Sequence, residues 1–135
     1  AVAFVLNLIW ENLHAMLYAN YTFAYYFPLC LRATFWDAGY ITLVFAAIAL
    51  LKNDWDWFTK DRRFNVALVT ALGLLTASVV ELDALLKHKW AYSTAMPLVP
   101  LIHVGLTPFL QLAILSLVTY TVVDRKIAAP PRGSQ

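Results

Sequence analysis

Asn7, Glu11, His14 and Tyr18 recur at i, i+4, i+7 and i+11 inside an apolar stretch that spans roughly the first 18 residues. On a helix of 3.6 residues per turn this spacing stacks an amide, a carboxyl, an imidazole and a phenol along one face, with Leu8, Ile9, Leu13 and Leu17 on the others. Water does not cover that face. The chain is 61% hydrophobic and only 13% charged, far more apolar than an ordinary soluble domain. An ionisable group at membrane depth is costly and faces a bundle interior or a wet cavity. The sequence therefore predicts an all-α integral membrane protein, a four-helix transmembrane bundle whose other helices supply partners for the stripe.

The helices are expected at about residues 1–18, 28–51, 64–86 and 98–123, within one domain over 1–127. The tail 128–135, reading AAPPRGSQ, has the composition of a disordered segment. The first helix lacks the basic flank and small-residue cleavage site of a signal peptide and is expected to be retained. Residues 20–27 form a dense aromatic cluster closed by Pro28, which suits a short turn at the headgroup level. The charged, Trp-rich loop 52–63 is expected in water or at the interface. Ala71, Gly73, Thr76, Ala77 and Ser78 make the third helix small enough for close approach. Pro108, three residues after Gly105, is expected to kink the fourth helix.

Four spans put both termini and the loop 52–63 on one side. Lys52, Lys60, Arg62, Arg63, Arg125, Lys126 and Arg132 lie there, against Arg32, Lys87 and Lys89 opposite. The positive-inside rule then makes the termini cytoplasmic, in what is expected to be a prokaryotic cytoplasmic membrane. At ~1.5 Å per residue, Glu11 and His14 lie roughly 9 to 13 Å below the outer helix ends, Asp37 roughly 13 Å, and Glu81 and His103 roughly 8 Å. All five fall in the outer half, which points to a polar pocket opening outward or sideways into that leaflet.

Within that layer Glu11, His14, Asp37 and Glu81 are the candidate catalytic groups. Asn7, Trp10, Tyr18, Trp36, Tyr40, Tyr92, His103 and Gln111 are the candidate ligand contacts, Gln111 as the pocket floor or as a bridge between helices. Plainer readings stand beside these. Glu11 serves equally as a structural hydrogen bond between helices, and His103 as a hydrogen-bonded core residue. Trp36, Trp90 and Tyr92 have the character of interface anchors. The Glu11-x-x-His14 spacing is that of carboxylate-bridged metal bundles, but Asp37-x-x-Tyr40 puts a tyrosine where a second such pair needs histidine, so no metal is assigned. Haem ligation by His14 and His103 stays open, and the cofactor is undetermined. No phosphate-cradling glycine loop, nucleophile elbow or zinc-protease helix is present. Cys30, the single cysteine, reads as a small buried apolar residue. The net charge of +2 forms no basic face, so nucleic acid is not an expected partner.

The ordered series Trp10-Glu11-x-x-His14, Trp36-Asp37, Glu81, Trp90-x-Tyr92, Met96-Pro97 and Gly105-x-x-Pro108-x-x-Gln111 resembles a group of small prokaryotic polytopic proteins without assigned function. The resemblance covers nearly the whole chain. More distantly, an acidic residue at a helix end followed by an aromatic pair, a proline and another helix resembles the layout of intramembrane carotenoid and terpene cyclases or hydratases. That resemblance implies carboxyls protonating an isoprenoid double bond and aromatic rings stabilising the carbocation. The Pro-x-Glu-Glu signature of membrane lycopene cyclases is absent. Two functions follow as expectations. One is an intramembrane acid/base enzyme on an isoprenoid or other lipid, with membrane lipids and a hydrophobic small molecule as partners. The other is a noncatalytic subunit or assembly factor packed against other membrane subunits or pigments.

Overall fold

The computed structural model describes residues 1–128, with side chains described as far as Asp124. It contains four helices, α1 (Val2–His14), α2 (Phe23–Lys52), α3 (Arg62–Leu86) and α4 (Leu106–Ala128), with a 3₁₀ turn at Ala15–Leu17. Among the described residues there are no strands beyond two single bridging pairs, Tyr18 with Tyr92 and Leu98 with Gly105. Helices α2, α3 and α4 are long and apolar enough to cross a membrane, and Val2–Leu17 is a shorter apolar helix. At ~1.5 Å per residue the three long helices measure roughly 35 to 45 Å, against a hydrocarbon core of about 30 Å. The chain is an integral membrane protein built as an all-α bundle.

Helix α4 lies at the centre, packed against α1, α2 and α3. Of its apolar window 44% is buried, against 17% for α2, so α2 is peripheral and turns most of its surface outward. The buried row of α3, Asn65, Val69, Gly73, Ala77, Glu81 and Ala84, repeats every three or four residues along one face. Its small members set how near α4 comes. A Cβ added at Gly73 would stand 2.6 Å from both the backbone nitrogen and Cα of Ala113, inside any tolerable contact. Only glycine allows this crossing. On α1 the buried residues are Ala3, Asn7, Glu11 and His14, while Val5, Ile9, Leu13 and Met16 are exposed on the other side. The polar stripe read from the sequence is thus the face that packs.

At the end holding the α2–α3 connection, the loop does not lie in water or at the interface throughout, as its composition suggested. Trp57 and Phe58 turn inward and are buried. Their rings pack against Tyr120 at 5.9 and 5.4 Å between centroids, and Phe45 closes on Tyr120 at 5.2 Å. Covering this large apolar area offsets drawing the loop backbone inward. Asn65, fully buried, supplies the polar groups the loop needs: its Nδ2 donates to the Trp57 carbonyl at 2.6 Å and to that of Lys60. Its Oδ1 accepts from Lys52 Nζ at 2.8 Å.

Several boundaries differ from the sequence expectation. Helix α2 begins at Phe23, so the aromatic cluster forms its opening turns and is not a separate interfacial turn. Pro28 lies inside the helix and takes the usual amide donor from the Ala24 carbonyl. Ala24 is exposed, so the loss falls where the helix projects beyond its neighbours. Helix α4 begins at Leu106, about two turns later than expected. Residues 98–105 instead close a tight antiparallel turn, in which Val99 N–H donates to the Val104 carbonyl at 2.8 Å and Leu106 N–H to that of Pro97 at 2.7 Å. Leu101 and His103 hold positive φ there. Pro108 is then the third residue of α4, where its amide would have had no helical acceptor, so it opens the helix and kinks nothing. The expected tail, beyond Ala128, lies outside the described residues.

Candidate functional site: a carboxyl pair on one amide

Three helices bring their polar groups to a single point. Gln111, buried on the second turn of α4, directs its Nε2 at Glu11 Oε1 (2.7 Å) on α1 and at Asp37 Oδ2 (2.8 Å) on α2. The same nitrogen lies 3.1 Å from Asn7 Oδ1. Asn7 is oriented for this contact because its Nδ2 donates to the Ala3 carbonyl one turn back at 2.8 Å. Asn7, Glu11 and Gln111 are buried, whereas Asp37 is half-buried. An amide nitrogen has two hydrogens, and here three oxygens surround it. Both carboxyls stand within hydrogen-bond reach of one nitrogen.

His14 continues the stripe toward the end holding the α1–α2 and α3–α4 connections. Its Nε2 is 3.7 Å from Glu11 Oε2, beyond a direct hydrogen bond. Its Nδ1 is buried and has no partner. Cys30, read from sequence only as filler, places its Sγ 3.5 Å from the Glu11 carbonyl and closes α2 onto α1. One signal pointed to it: Cys30, Thr34 and Asp37 repeat at i, i+4 and i+7, as Asn7, Glu11 and His14 do, and Cys30 and Thr34 are buried.

Glu81 forms a second, separate cluster. Its Oε2 accepts from the Tyr92 hydroxyl and, at 3.4 Å, from Trp90 Nε1. The Tyr92 oxygen in turn accepts the Gly105 N–H at 2.8 Å. One carboxyl on α3 thereby fastens both ends of the long connection to α4. Burial pushes the Tyr92 phenol well above its ordinary value, and the adjoining Glu81 carboxyl acts in the same direction. Tyr18 stands between the two clusters. Its ring lies 5.5 Å from His14 and 5.7 Å from Tyr92, and the backbone around it pairs with 91–93 through Ala19 N–H to Ala91 and Ser93 N–H to Leu17.

The remaining candidates lie elsewhere. Tyr40 accepts from Thr76 Oγ1 at 3.0 Å, tying α2 to α3. Trp10 packs against the main buried hydrophobic cluster. Trp36 faces outward, 73% exposed. His103 is exposed in the loop before α4, not on a helix as its apolar surroundings suggested, because the two prolines delay the helix start. It does not join His14, and among the described residues no three His, Cys, Asp or Glu side chains are grouped to hold a metal ion. An open cleft of about 400 Å³ is bordered by Ala19, Asn20, Tyr25, Tyr26, His88, Trp90 and Ala91 and does not reach Glu11. No protein-family model, curated protein or solved structure matches this chain.

Proposed function

We propose that this protein is an intramembrane acid/base enzyme acting on a lipid-borne substrate, isoprenoid or other, with the Glu11–Asp37 pair as its proton donor and acceptor. One observation carries the reading: two carboxyls from different helices meet on the Gln111 amide. Two carboxylates sharing a site repel one another, and two N–H groups cannot serve three oxygens fully. A proton held within the pair meets both demands. Delivered to an alkene carbon, that proton leaves a carbocation and a carboxylate, and removal of a proton from a neighbouring carbon restores the acid. Asp37, the half-buried member, is the one a substrate entering from the membrane would meet first.

The test needs no substrate. Dicyclohexylcarbodiimide is apolar and adds to protonated carboxyls, so protein in mild detergent should take up one equivalent by intact mass. The Glu11→Gln/Asp37→Asn double variant should lose the adduct while Glu81→Gln retains it. Unmodified wild-type protein would count against the reading. A noncatalytic subunit is the second reading, favoured by the enclosure of Asn7, Glu11 and Gln111. On that reading the carboxyls stay unreactive and the chain copurifies with fixed partners. In either case we place the termini in the cytoplasm, on the Lys/Arg asymmetry. Reporter fusions after Lys60 and after Lys89 should then fall on opposite sides, Lys60 inside.

A further inference from the structure

Glu11 is closed off by its own helices, yet an acid that turns over must be reprotonated. The groups lying between it and the open cleft form a sequence. Tyr26 and Trp90 border the cleft. Tyr18, buried, stacks on Tyr26 at 6.1 Å with an interplanar angle of 17° and meets Trp90 edge-on at 5.9 Å. His14 follows at 5.5 Å from Tyr18, then Glu11 at 3.7 Å, then Asp37 through the shared amide. His14 is only 7% exposed and its Nδ1 has no hydrogen-bond partner. A buried ring nitrogen left unpaired carries a desolvation penalty that packing alone does not require.

We propose that His14 is the proton relay between the cleft at the α1–α2 connection and the Glu11–Asp37 pair, with Tyr18 as the ring that closes the passage above it. The proposal rests on the acid/base reading and extends it to how the acid is recharged. A proton from water in the cleft adds to the free lone pair of the neutral imidazole. The N–H on the other ring nitrogen then gives its proton to the Glu11 carboxylate, leaving neutral imidazole in the opposite tautomer, and return of the ring resets it. The 3.7 Å gap from Nε2 to Glu11 is one that a bridging water spans. The groups along this line fit the task. Glu11 and Tyr18 flank His14 on its own segment. Cys30 of α2 reaches the Glu11 carbonyl, Gln111 of α4 joins the Glu11 carboxyl to Asp37 of α2, and Tyr92, beyond Tyr18, is held by Glu81. His88 borders the cleft, and its neighbours Lys87 and Lys89 are held by Asp83 at 2.5 and 2.8 Å.

Hydrogen–deuterium exchange of the protonated carboxyl, followed by its infrared carbonyl stretch in liposome-reconstituted protein, tests the relay directly. Glu11→Gln and Asp37→Asn assign the band. His14→Phe, and His14→Asn as a polar alternative if the first does not fold, should slow exchange of that band on the order of 10²-fold. Tyr18→Ala should accelerate it. Exchange at the wild-type rate in a folded His14 variant, or an unchanged rate in Tyr18→Ala, overturns the relay. A wild-type protein with no band assignable to Glu11 or Asp37 overturns the acid/base reading itself, so the two failures are distinguishable.

Discussion

Glu11 and Glu81 are both buried glutamates near the same end of the bundle, yet their surroundings differ in kind. Glu81 receives two donors whose own positions are fixed by the chain around them, and it fastens the connection on which Trp90, Tyr92 and Gly105 lie. Glu11 shares one amide with another carboxyl and an asparagine, beside an imidazole with an unpaired nitrogen. Two donors serve one carboxyl at the first site, and one amide serves two carboxyls at the second. A satisfied buried carboxyl holds structure together, whereas a crowded one retains a place for a proton.

The two sites should separate under mutation. The larger stability loss is expected from Gln111→Leu, which strips the shared side-chain donor from two carboxyls and Asn7 at once. It should cost about 3 kcal/mol in unfolding by denaturing detergent, because buried acceptors are left unpaired. Glu81→Ala should cost less, about 2 kcal/mol, and its signature is local: protease cleavage appears in the connection between α3 and α4 while the helices remain protected. If Glu81→Ala instead exposes α1 and α2, the two clusters are one cooperative unit and the contrast fails.

Asp54 provides the smallest expected effect and a baseline. It is paired with Lys60 at 2.7 Å in the α2–α3 connection, at the other end of the bundle. The hydrogen bond from Lys60 holds its carboxyl below the ordinary value. Any contribution is therefore present above the ordinary aspartate pKa and is lost as pH falls through the lowered one. Lys60 is exposed and Asp54 half-buried, so the pair is open to solvent and screened by salt. Asp54→Asn should leave the unfolding midpoint unchanged at physiological ionic strength. A shift as large as that of Glu81→Ala would show that the connection between α2 and α3 is held by charge and not by Trp57 and Phe58.

Periodicity and composition decided much of this protein before any fold was known. The i, i+4, i+7 spacing of Asn7, Glu11 and His14 fixed which face of α1 is buried, because a helix offers a polar stripe only one way to leave lipid. Gln111 could be placed near that stripe, and the small residues around Gly73 announced a close crossing, though not that Ala113 is the backbone met there. Helix starts were less legible. Pro28 and Pro108 each sit differently from the local expectation, because tolerance of a missing amide depends on what lies beside the carbonyl it abandons.

What only the tertiary structure decided is partnership. Sequence gave Glu11, Asp37 and Glu81 similar depths and no means of pairing them. The order of packing around α4 joins Asp37 to Glu11 and leaves Glu81 to the aromatic residues of its own connection. His103 is excluded from the layer because the chain from Pro97 to Gly105 turns back on itself before α4 begins. Trp57, in a loop whose charges suggested water, is buried because a hydrophobic end of the bundle lay within reach. Hydrogen-bond partners lie up to 104 positions apart in the chain, and no local pattern records contacts at that separation.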